Sequence, residues 1–219
     1  MKSIQPVRTL TLATLGVAGL LLAGSSANAA GYKLADKVGK GIAEFRDEIV
    51  DVKKAVDTTL AALDKVVGQA TTDPRKAFKA FDSSVAKIDS EAAKAKKRAE
   101  DMKARGKEFF DQWEKELASL SDPDIRKLAE ERKTKLQTTF GNIKTTMDPA
   151  REQFNTWLAT LKDLQKYLAQ DLTISGIDAA KDLIAKSKSG GMEVQKTLDK
   201  VIAELNTLVA TMTPAQVKK

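Results

Sequence analysis

Apolar and small residues recur every three or four positions along nearly the whole chain. From Phe78 to Leu120 they fall at Phe78, Phe81, Val85, Ile88, Ala92, Ala95, Ala99, Met102, Gly106, Phe109, Trp113, Leu117 and Leu120, with no proline between them. This is the period of one face of an α-helix. At ~1.5 Å per residue the stretch would be roughly 65 Å long, and an apolar stripe of that length needs partners of similar length. Three other segments supply them. The first predicted helix spans 34–70, with Leu34, Val38, Ile42, Phe45, Ile49, Val52, Val56, Leu60, Leu63 and Val67 on its stripe. The second spans 74–120. The third spans 123–170 and carries Ile125, Leu128, Leu136, Ile143, Met147, Ala150, Phe154, Trp157, Leu161, Leu164 and Leu168. The fourth spans 177–212, from Ile177 through Ile184, Val194, Leu198, Val201, Leu205 and Leu208 to Met212.

The breaks between these stripes carry helix-start chemistry. Asp73-Pro74 and Asp122-Pro123 each place a capping carboxylate before a proline at the first helical position, where the missing N–H costs nothing. Pro149 lies inside the third helix, but the spacing stays in phase from Ile143 through Leu168, which predicts a kink and not a break. Arg132 and Thr139 fall near the stripe in the first half of that helix, so this half should be the less well packed. Gly190 and Gly191 resemble a breaker pair, yet the phase runs through them. A continuous, locally weak helix is expected, each glycine costing about 1 kcal/mol relative to alanine. Counting back from the turns sets the two glycines level with Phe154 and Trp157, where they would make room for the rings. Short turns between long amphipathic helices make neighbours antiparallel. The expected fold is all-α, an elongated up-down-up-down four-helix bundle with coiled-coil character, in a single domain over 30–219. Whether the four helices close on themselves or open as two hairpins is not decided by the pattern.

Composition narrows the chemistry. The 219 residues include no cysteine and no histidine. That removes disulfides, thiolate zinc sites, iron–sulfur clusters and cysteine nucleophiles, along with the commonest general base and transition-metal ligand. No cofactor, metal or catalytic residue is expected, and the chain reads as a non-enzyme.

Residues 1–29 have the layout of a secretory signal peptide: Lys2 and Arg8 before an apolar run, Leu10 to Leu22, then the small-x-small sequence Ala27-Asn28-Ala29. The alternative is an uncleaved anchor, for which the apolar run is short. Leu22-Ala23-Gly24-Ser25 has the form of a lipoprotein signal with Ser25 where the lipid-bearing cysteine belongs. A soluble exported protein, periplasmic or secreted and not lipidated, is the expectation. Removing Lys2 and Arg8 from the formal +7 leaves +5.

The densest charge feature is Lys94, Lys96, Lys97, Arg98, Lys103, Arg105 and Lys107, interrupted by only Glu100 and Asp101. It reads either as a ridge for an anionic partner (lipid, cell-wall polymer or acidic protein) or as a solvated helix face. Nucleic acid is not an expected partner of an exported protein. Asp111, Glu114 and Glu116, with Glu130 and Glu131 across the turn, form an acidic group, but helix-borne di-iron sites pair such carboxylates with Glu-x-x-His, and no histidine exists. Asp111 and Lys115 form an i,i+4 pair. Ser84-x-x-Lys87 matches a nucleophile pattern without the accompanying elements. Trp113 and Trp157 lie in phase with the stripe and are expected in the core.

Gly31-Tyr32-Lys33 followed by Lys37-Val38-Gly39, then Phe110-Asp111-Gln112-Trp113-Glu114-Lys115-Glu116-Leu117 and Met147-Asp148-Pro149, resemble a bacterial domain-of-unknown-function family of exported, often lipoprotein-type, coiled-coil helical proteins. The resemblance spans most of the mature chain. It implies an envelope location and a helical bundle and supplies no catalytic residues. Ser25 departs from the lipoprotein form. The functional expectation is an interaction or scaffold module of the cell envelope. The alternatives are a membrane- or lipid-associating bundle, including a pore-former that opens at Pro149 and Gly190-Gly191, and a basic periplasmic holdase chaperone. A homo-oligomer stays open.

Overall fold

The computed structural model describes residues 28–212, with side chains from Lys33 onward. Residues 1–27 of the proposed signal peptide, Ser25 among them, and the tail after Met212 lie outside the described residues. The chain forms α1 (Asn28–Gly68), α2 (Pro74–Ser119), α3 (Pro123–Gln170), the short α4 (Ile174–Ala179) and α5 (Lys181–Met212). α1 starts earlier than the pattern predicts because Asn-Ala-Ala-Gly-Tyr-Lys carries no stripe to read. Among the described residues no helix is long and apolar enough to cross a membrane.

Both Asp-Pro starts form as the sequence predicts. Asp73 accepts a hydrogen bond from the Lys76 amide at 3.1 Å, and Asp122 accepts from the Asp124 and Ile125 amides at 2.9 and 3.1 Å. The expected fourth helix is the element that changes. Thr173 caps a separate turn by accepting from the Gly176 amide at 3.0 Å, and Asp171 in turn accepts from the Thr173 hydroxyl at 2.6 Å. That contact, with the Thr173 amide, holds the Asp171 carboxyl below its usual range. Ala180 then separates α4 from α5, its amide shared between the carbonyls of Gly176 and Ile177. A polar cap in what read as a linker starts the helix early, and Ala180 interrupts it.

α1 packs against α2 and α5, and α3 packs against α5 and α2, so the long helices close into a ring with α1 and α3 at opposite corners. The closed arrangement answers the question left by the sequence. Cross-helix pairs fix the register: Arg46 to Asn206 at 3.2 Å and Lys53 to Asp199 at 2.6 Å between α1 and α5, Gln153 to Thr197 at 2.8 Å between α3 and α5, and Asp89 to Lys162 at 2.6 Å between α2 and α3. The stripes meet inside. Ile42, Phe45, Phe81, Ile88, Leu161 and Leu205 are among the fully buried side chains.

The core is uneven. The second half of α3 buries Phe154, Trp157, Leu158, Leu161, Leu164 and Leu168, while the first half buries only Leu136 and Ile143. Ile125 and Leu128, expected on the stripe, are 46% and 68% exposed. The register explains this: Arg132 of α3 reaches the Thr211 carbonyl at 3.3 Å, so beyond Arg132 no described residue of α5 stands opposite. An aromatic group of Phe109, Phe110, Trp113 and Phe140, with centroids 5.2–5.4 Å apart in successive contacts, fills the bundle just inside that end.

α3 is continuous through Pro149 and α5 through Gly190 and Gly191. The glycines lie against Trp157. A Cβ at Gly190 would sit 3.1 Å from Trp157 Cδ1, and one at Gly191 would sit 2.9 Å from Trp157 Cζ2 and 2.6 Å from Leu60 Cδ2. Trp157 is buried and donates from Nε1 to the Ser187 carbonyl at 2.7 Å. Phe154 packs beside it, centroids 6.2 Å apart.

Candidate functional site

The seven cations of the ridge fall on more than one side of α2 and differ in their pairing. α2 turns its basic residues to more than one side, because a run of charges in sequence winds around the helix. Arg98 points to α1, where it donates to Glu44 at 3.1 Å and lies 3.6 Å from Glu48. Arg105 follows it one face-repeat later, 3.8 Å from Glu44. Lys94 bonds both oxygens of Glu91 at 3.2 Å, and Lys107 reaches Asp111 at 2.5 Å. Lys96, Lys97 and Lys103 are exposed and form no ion pair among the described residues.

The structure also assembles a group that the sequence reading missed. Glu48 and Asp51 of α1 and Glu91 of α2 bring carboxylate oxygens within 4.8 Å of one another. Glu91 is buried. Hydrogen bonds from Lys87 and then Lys94 hold its carboxyl below the ordinary range, and Lys87 is raised in return. Asp51 is lowered by Lys54, 2.8 Å away. The three carboxylates therefore face Lys54, Lys87, Lys94 and Arg98, and their charge is already balanced by the chain. A hard cation would have to displace ammonium groups, so the arrangement is a clamp between α1 and α2. A signal was present: Glu91 falls three after Ile88 and four before Ala95, in phase with the stripe, flanked by lysines one turn away on each side.

The acidic group near the α2–α3 turn is dispersed. Asp111 pairs with Lys107 one turn earlier, not with Lys115 as expected, because Lys107 lies on the same flank. Glu114 pairs with Lys133 of α3, and Glu116 accepts from Gln112 at 3.2 Å. Ser84 of the Ser-x-x-Lys match is buried and donates to the Phe81 carbonyl at 2.7 Å, and Lys87 is spent on Glu91. Trp157 is in the core, as expected, and Trp113 is half-buried in the aromatic group. Pro149 contributes to a shallow outer groove on α3 with Asp148, Arg151, Glu152, Asn155 and Thr156. A second open groove, of about 610 Å³, lies between Lys33, Lys37, Lys107 and Lys115.

No curated protein and no solved structure matches the chain. A family model described as a protein of unknown function, DUF2959, matches residues 25–212, most of the chain, which therefore belongs to that family.

Proposed function

We propose that the chain is a non-enzymatic interaction or scaffold module of the bacterial cell envelope, exported by residues 1–29 and, with Ser25 in place of a lipid-bearing cysteine, not anchored by lipid. The division of the ridge carries this reading. Four of its cations are spent on the chain's own acids, while Lys96, Lys97 and Lys103 are exposed and form no ion pair among the described residues. Such a set attracts an anionic partner and orients it on approach. The test is in-cell cross-linking of the full chain followed by fractionation. The wild type should be recovered with the envelope in a discrete cross-linked species. K96E/K97E/K103E should lose that species with its helical circular dichroism unchanged. Retention of the species by the triple variant would refute the role of the ridge, and recovery in the cytosol would refute the location.

Membrane association is a second reading, favoured by Ile125 and Leu128. These lie three apart on one helix face at the end of the α2–α3 hairpin and are 46% and 68% exposed. Co-sedimentation with neutral vesicles at physiological salt tests it. Pelleting should occur and be lost in I125S/L128S, and a wild type that stays in the supernatant would remove this reading.

A further inference from the structure

We propose that the groove between α2 and α3 binds a linear polyanion whose phosphate groups engage two cationic rungs about 10 Å apart, the rise of seven helical residues. This rests on the interaction reading above and names the partner's chemistry.

Asp82, Asp89, Lys96, Lys103 and Phe110 follow one another at intervals of seven on the flank of α2 that meets α3. The ends of this series show what it faces. Asp82 accepts from Gln165 at 2.5 Å, Asp89 pairs with Lys162 at 2.6 Å, and the Phe110 ring meets Phe140 edge-on with centroids 5.4 Å apart. α3 runs the other way with Lys144, Arg151, Leu158 and Gln165 at the same interval. Between the anchored ends, the antiparallel register sets Lys103 level with Lys144 and Lys96 level with Arg151. The flanking pairs are complementary: acid with amide, acid with lysine, ring with ring. The two middle pairs oppose like charges, which weakens helix pairing. A local departure from an otherwise consistent pattern marks a place kept for something other than stability.

All four cations are exposed. Two acids lie nearby. Asp148 pairs with Arg151 at 3.3 Å, and Glu100 is four after Lys96 and forms no ion pair among the described residues. They leave the groove with net positive charge. Its floor on α2 is small, Ala92 and Ala99 both being half-buried, so a thin chain can lie along the seam. A single anion satisfies only one rung. A chain with phosphates along its length satisfies both, and this selects a polymer over a free ion.

The test uses the full chain and linear inorganic polyphosphate, followed by titration calorimetry over a range of salt. For four neutralised charges the logarithm of the association constant should fall against log salt with a slope of about −3, using the single-strand coefficient. The deciding variant is K144E/R151E, which leaves Lys96, Lys97 and Lys103 untouched. It should lose on the order of tenfold or more in affinity and at least half the salt slope. K186E/K200E, an equal charge change at exposed positions of α5, should bind within about twofold of wild type. If reversal disturbs folding by circular dichroism, K144Q/R151Q replaces it, with the same direction expected. Equal losses in the α3 and α5 variants would show a net-charge effect and overturn the groove. So would competition by monophosphate at equal phosphate concentration, or a wild type that pellets with anionic vesicles and ignores polyphosphate. An unaffected K144E/R151E overturns the groove while the ridge of α2 stands on its own cross-linking test.

Discussion

Replacing Gly191 by alanine sets two opposed effects against each other. Alanine favours the helix by about 1 kcal/mol over glycine, and at an open position that gain would be realised. Here the new Cβ would lie 2.6 Å from a Leu60 methyl and 2.9 Å from the Trp157 ring. The methyl can rotate away. The ring is rigid, buried, and held by its bond to the Ser187 carbonyl. Forcing a methyl into a packed site costs about 1–3 kcal/mol, and a ring that shifts also loses a hydrogen bond worth about 1 kcal/mol. The clash therefore wins by about 1–3 kcal/mol. At Gly190 the one close contact among the described residues is with the ring edge at 3.1 Å, and the propensity gain should roughly cancel it. Urea unfolding followed by far-UV circular dichroism measures both. Gly191→Ala should lower the midpoint at unchanged m and the Tm by roughly 3–8 °C, with Gly190→Ala close to wild type. A double-mutant cycle with Trp157→Phe assigns the cause: the cost of Gly191→Ala should shrink in the smaller ring's background. A Gly191→Ala protein stabilised by about 1 kcal/mol would refute the close approach.

The remaining predictions follow from named contacts. Glu91 has a depressed carboxyl in the fold. Its contribution is therefore present above the ordinary carboxylate pKa and is lost as pH falls through the depressed value. Glu91→Gln should melt lower at neutral pH and lose less on acidification, a comparison made by Tm at pH 7 and in the acid range. Thr173→Ala removes the α4 cap and should cost about 1 kcal/mol by urea titration. Gly176→Ala should cost more, since its Cβ would meet the Asp171 carbonyl oxygen at 2.6 Å, backbone that cannot swing aside. Lys103→Glu turns an opposed like pair into an attractive one. It should stabilise the bundle by roughly 0.3–0.5 kcal/mol while weakening polyphosphate binding, and a destabilised variant would refute the register.

The long helices were legible because each buries one periodic stripe, and that period survives Pro149 and Gly190-Gly191. The placement of Trp157 on the glycines was legible too, since antiparallel helices with short turns leave little freedom of register. Membership of a family of unknown function was likewise readable from local phrases. Ile125 and Leu128 were misread because periodicity reports which residues share a face, not whether a partner helix extends far enough to cover it. α4 was missed because its start depends on a Thr173 hydroxyl turned toward one amide. The ridge was half legible. Charge could be counted in sequence, but its pairing depended on Glu44 and Glu48, fifty or more residues away in the chain. The Lys103–Lys144 and Lys96–Arg151 rungs needed the α2–α3 register, which no single helix contains.

The uneven packing of α3 gives the bundle a gradient of mechanical compliance. At the end holding the α1–α2 turn and α4, Leu161, Leu164, Leu168 and Ile177 are sealed, and a load there meets the whole core. At the other end, the start of α3 is secured by the Asp122 cap, the Lys133–Glu114 pair and Leu136. A pull on Ile125 or Leu128 can peel two turns of helix without disturbing Phe154 or Trp157, so that end works as a compliant handle on a stiff shaft.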